Sequence, residues 1–172
     1  MKRMSNTLTV QTISCRMTAL LLVLLSLFTA GCGLNEEERA VSEVNSGITA
    51  VESAGDEVAA AIAEQEGKAG ERDVNELTSS VENYLGAVDD LNGAIRHLAD
   101  VMPEMNDHVR SEFMPKAEEA AQACQQALDL LQGNEQVDDV VLRNAITKLG
   151  VCIDQYAKTV TGVSTAYGQI AQ

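Results

Sequence analysis

Apolar residues recur at alternating spacings of three and four through four long stretches of this 172-residue chain. No other feature of the sequence constrains the fold as much. The first stretch runs Val41, Val44, Ile48, Val51, Gly55, Val58, Ile62. The second runs Val74, Leu77, Val81, Tyr84, Val88, Leu91, Ile95, Leu98, Met102. The third is less regular, with Val109, Phe113, Ala117, Ala120, Cys124, Ala127 or Leu128, and Leu131. The fourth restores the rhythm with Leu142, Ile146, Leu149, Ile153, Tyr156, Val160, Val163, Tyr167 and Ile170. A helix turns once in about 3.6 residues, so this spacing lays one apolar stripe along one face. A half-buried strand would alternate every second residue, and few runs here do so. The reading is an all-α, antiparallel up-down four-helix bundle with a heptad-type core. The alternative is a homo-oligomer in which helical hairpins of two chains pair.

Local signals place the helices at about 36–66, 73–101, 104–132 and 137–171. Asn35 and Glu38 have the spacing of a capping box, as do Asp73 and Glu76. Glu36 and Glu37 suit the positive end of a helix dipole. Gly67 and Gly70 bracket the first turn, and Pro103 closes the second helix. Pro115 lies inside the third and predicts a kink there. Gly133 and Asn134 end that helix.

The first 31 residues read differently. Residues 18–30 carry no charge, Lys2, Arg3 and Arg16 precede them, and no acidic residue comes before Glu36. A basic leader followed by a short apolar run is the pattern of a secretory signal, expected to be helical and cleaved. The run falls short of the roughly 20 residues a membrane span needs. At its end, Thr29-Ala30-Gly31-Cys32 resembles a bacterial lipobox. The resemblance covers only these 32 residues, and it implies several things. Lipoprotein signal peptidase would cut between Gly31 and Cys32, and Cys32 would carry acyl chains such as palmitate. Residues 32–35 would be a short tether to a helical domain at 36–172. Gly33, in place of Asp, implies the outer membrane of a Gram-negative cell, with the protein facing the periplasm.

Removal of residues 1–31 would leave 141 residues with nine basic and 26 acidic side chains, a net charge of −17. Such a surface repels nucleic acid and anionic headgroups. No phosphate-binding loop, dinucleotide fingerprint, CxxC or zinc-protease motif is present. Adjacent carboxylates such as Asp89 and Asp90 diverge by about 100° on a helix and do not form an acid–base pair. Enzymatic activity is not expected. The function class that remains is a lipid-anchored envelope protein that binds another envelope protein or supports an assembly, with no cofactor beyond its lipid.

One cluster suggests chemistry. His97, Met102, Met105 and His108 gather around the second turn, and Met105 and His108 are one helical turn apart. Thioether with imidazole suits Cu(I) or Ag(I), and the motif resembles the Met/His motifs of periplasmic copper- and silver-binding proteins. The structural reading is that the methionines plug the end of the bundle. Cys124 and Cys152 pose a second question. An oxidising compartment favours a disulfide. Pairing Leu131 with Asp138 across the third turn, however, puts Cys152 roughly 10 Å beyond the level of Cys124.

Overall fold

The computed structural model describes residues 35–66, 74–133 and 137–170, and all of its regular structure within them is helical. The elements are α1 (Glu36–Glu66), α2 (Asn75–Val101), α3 (Pro103–His108), a π-helical turn (Val109–Phe113), α4 (Met114–Gln132) and α5 (Asp139–Ile170). The segment from α3 through the π turn to α4 is unbroken, so four helical stretches make one bundle-like body. No helix among the described residues is long and apolar enough to cross a membrane.

The start of α1 is fixed by two reciprocal bonds. The Glu38 N–H donates to Asn35 Oδ1 at 2.8 Å, and the Asn35 N–H donates to Glu38 Oε2 at 3.0 Å. Two of the four backbone donors that a helix start leaves open are thereby used, in a box whose first residue is Asn. Asp138 caps α5 in a similar way, its Oδ1 accepting from the N–H groups of Val140 and Val141, both at 2.8 Å. Val137 before the cap and Leu142 in the first turn are both buried, the positions of a hydrophobic staple. The residue at the N-cap of α2 is Val74, which makes no side-chain cap. Asp73, Gly67, Gly70 and Asn134 lie outside the described residues.

The apolar series is the core. All residues of the α1 series except Gly55 are buried, as is every α2 position from Leu77 to Met102. In α5 Ile146 and Ile170 are partly buried and pack against that core. Small residues widen each stripe: Ala40, Ala54, Ala61, Ala99, Ala145 and Ala166 are also buried. They allow close approach. A Cβ on Gly47 would lie 2.9 Å from Leu91 Cδ1 and 3.2 Å from the Leu91 Cα, which sets the α1–α2 spacing.

Specific contacts fix which levels of the helices meet. Between α1 and α2, Glu43 bonds His97 and Gly55 sits beside the Tyr84 ring. Between α4 and α5, Lys148 bonds Gln126, and Gly162 faces Phe113 of the π turn. Tyr156 of α5 reaches Val88 and Asn92 of α2, and Gln132 of α4 reaches Glu82 of α2.

Pro115 does not break its helix. It occupies the first turn of α4, directly after the π turn, and the Met114 N–H reaches back five residues to Val109 O. Pro115 has no N–H to offer one turn back, and its ring would crowd the carbonyl of Ser111. The wider turn accommodates both. It also serves the core. Met105, Val109, Phe113 and Ala117 are all buried at successive spacings of four. Four residues advance an ordinary helix by about 400°, so the stripe would drift by roughly 40° at each step. A turn that takes in one more residue offsets that drift at the Val109-to-Phe113 step.

Candidate functional site

The end of the molecule where α2 passes into α3 holds all four residues singled out for metal chemistry. Met102 leaves α2 in an extended conformation (φ −121°, ψ 90°), its N–H still donating to Leu98 O, and Pro103 opens α3. Both sulfur-bearing side chains turn inward: Met105 is fully buried and Met102 nearly so. The imidazoles turn elsewhere. His97 Nδ1 lies 2.8 Å from Glu43 Oε2 of α1, and Arg39 Nε donates to the other oxygen of Glu43 at 3.2 Å. The His97 hydrogen bond, with support from Arg39, holds the Glu43 carboxyl below its ordinary value. His108 is about half exposed, 3.6 Å from Glu112 on the next turn. Met105 and His108, three residues apart, differ sharply in burial. One lies in the core and the other faces solvent. Among the described residues no three His, Cys, Asp or Glu side chains are grouped as metal ligands. The two thioethers are buried and the two imidazoles are not.

The two cysteines meet. Cys124 of α4 and Cys152 of α5 are joined as a disulfide with their Cα atoms 5.4 Å apart, and both are buried. The separation expected from the third turn is corrected by this register. The level of Cys124 is Cys152, and that of Gln126 is Lys148, so the hairpin folds about residue 138 and not about residue 134. The connection is longer than expected because Val137 packs under the first turn of α5, which starts at Asp139 and not at residue 137.

Buried polar groups lie on α1, α2 and α5, with Tyr156 one turn along α5 from Cys152. Tyr156 OH donates to Asn92 Oδ1 at 2.9 Å and lies 3.2 Å from Val88 O. Tyr84 OH, Glu52 Oε1 and Gln155 Oε1 are buried atoms without a hydrogen-bond partner among the described residues. Burial pushes the Tyr84 and Tyr156 phenols far above their ordinary range, so neither ionises. Burial, then the charge of Asp56, raises the Glu52 carboxyl. The Asn92–Tyr156 hydrogen bond ties α5 to α2 at one level.

No protein-family model matches the chain, and neither a curated protein nor a solved structure does. Gly31 and Cys32 lie outside the described residues, so the lipobox rests on sequence. Three features were not anticipated there: the Glu43–His97 bond, the Asn92–Tyr156 pair and the π turn. The first two join residues more than 50 positions apart, and no local pattern announces them. The π turn had a signal, the run of four-residue spacings from Met105 to Ala117.

Proposed function

We propose that the chain is a lipid-anchored, non-enzymatic protein of the bacterial envelope, an adaptor or structural partner for another envelope protein. The observation that carries this reading is the sequence Thr29-Ala30-Gly31-Cys32 after a basic and apolar leader, with the cap of α1 at Asn35 three residues later. Three extended residues reach roughly 10 Å, so the lipid would sit almost directly on the first turn. Multiple acyl chains give stable anchoring where a single chain is marginal. The outer membrane, facing the periplasm, follows from Gly33. The Cys124–Cys152 pairing suits that oxidising compartment.

We further read the four helical stretches as an up-down bundle in which neighbours run antiparallel. Support comes from the contact levels. Residue numbers fall on α2 as they rise on α1, from the Glu43–His97 pair to the Gly55–Tyr84 pair. They do the same on α5 against α4. Val41, Val44, Leu98, Val163, Ser164 and Tyr167 line one small void of about 10 Å³, which brings the start of α1, the end of α2 and the end of α5 together. The α2–α3 turn then lies at the membrane-proximal end, and the turns after α1 and α4 face outward.

Expression of the full chain in a Gram-negative host tests the anchoring directly. The wild type should sediment with outer-membrane vesicles, and Cys32→Ala should not. An inhibitor of lipoprotein signal peptidase should cause the precursor to accumulate. Equal membrane retention of the Cys32→Ala chain would refute the reading. Capture with the lipidated protein, followed by mass spectrometry, would name the partner.

A further inference from the structure

A cleft of about 290 Å³ opens beside the π turn, lined by Arg96, Ala99 and Asp100 of α2, Val109 and Arg110 of the π turn, and Met114 of α4. Its floor is apolar. Ala99 and Val109 are buried and Met114 is partly so. Arg96 of α2 and Arg110 of the π turn, both exposed, are among its lining residues. Neither Arg96 nor Arg110 has an ion-pair partner among the described residues. That holds although Asp100 is four positions from Arg96, the spacing at which such pairs close on a helix. The chain carries 26 acidic residues against 12 basic ones, so two arginines lining one cleft make it a locally basic place on an acidic protein, which suits an anionic group.

Size and charge narrow the occupant. Ligand pockets span roughly 300–1,000 Å³, so this cleft holds one side chain with its terminal group and no large cofactor. The guanidinium fork matches a planar carboxylate through paired, charge-assisted hydrogen bonds. Asp100 at the rim and the acidic surface around it oppose a doubly charged phosphate more than a singly charged carboxylate. The floor of Ala99, Val109 and Met114 calls for an apolar group attached to that carboxylate.

We infer that this cleft receives the C-terminal residue of a partner polypeptide, its free carboxylate between Arg96 and Arg110 and its apolar side chain on Ala99, Val109 and Met114. Capture of a chain terminus by positioned donors is a recurring recognition mode. The inference deepens the adaptor reading and rests on it for the partner being a protein. It does not need the lipid, so its failure leaves the anchoring result untouched.

The test is an NMR titration of the full chain in detergent micelles, performed on the wild type and on Cys32→Ala. N-acetyl-leucine serves as the probe, with N-acetyl-leucine amide, octanoate and inorganic phosphate as comparisons. N-acetyl-leucine should shift the signals of Ala99, Val109 and Met114 saturably in both proteins. The amide should bind about tenfold more weakly, as should the acid to Arg96→Gln/Arg110→Gln. Arg96→Lys/Arg110→Lys keeps the charge without the fork and should fall between. Absence of saturable shifts at these residues would overturn the inference, and so would equal binding of the amide. Tighter binding of phosphate would make this a simple anion site, and tighter binding of octanoate a fatty-acid site; either also overturns it.

Discussion

At Gly162 a side chain is excluded by its neighbour. A Cβ there would lie 2.5 Å from Cε1 of Phe113, so the aromatic ring packs directly on the α5 backbone. Gly162→Ala should destabilise the fold by about 1–3 kcal/mol, the usual range for an overpacked core. Gly93 is the opposite case. Nothing lies within 4 Å of a Cβ added there, and Gly93→Ala should stabilise by about 0.5–1 kcal/mol through helix propensity and a less flexible unfolded chain. Urea denaturation of both variants checks the pair. Two carboxylates give a second contrast. The folded pKa of Glu43 is lowered by His97, so its contribution is present above about pH 4.5 and is lost as pH falls through the folded value. The folded pKa of Glu52 is raised by burial. Its favourable contribution is complete below about pH 4.5 and disappears as pH rises through the folded value. At neutral pH Glu43→Gln should therefore lower the melting temperature and Glu52→Gln should raise it. Both differences should vanish well below pH 4.5, as thermal melts across pH will show.

Among the elements, the α4–α5 hairpin carries the largest single covalent constraint. Its disulfide spans a sequence separation of 28, and closing a loop of that length contributes about 3–4 kcal/mol in the chain-entropy picture. Cys124→Ala/Cys152→Ala should lose stability of that order in urea denaturation. Because both cysteines are buried, the native protein should react with a reductant only as fast as it opens. The hairpin also marks the limit of what the sequence discloses. Helical stripes and the Asn35–Glu38 cap are local, set by spacing and by side chains within one turn, and they could be read directly. The level of one helix against the next depends on how a turn is packed. Val137 folding under α5 goes with a shift of that level by about seven residues, roughly two helical turns, which brings together two cysteines that simple pairing holds apart. The Met/His cluster meets the same limit. Sequence spacing places Met105 and His108 on nearby turns, but burial of Met105 and solvent exposure of His108 decide where each side chain goes.

For the molecule as a whole, the helices supply rigidity and the surface supplies charge. The Met-plugged end, the start of α1 and the end of α5 lie together around Val41, Leu98 and Tyr167, which in the anchored reading faces the bilayer. A domain carrying −17 on such a short tether would be held off anionic lipid by its own charge, leaving its sides and outer turns to a partner. The anchored reading turns on where the mature chain begins. Mass spectrometry of the N-terminal peptide from protein purified out of envelopes measures that most directly. It should begin at Cys32 and carry the mass of a diacylglyceryl thioether with an amide-linked acyl chain. An unmodified Cys32, or a mature chain that begins at any other residue, would contradict the lipid-anchored assignment.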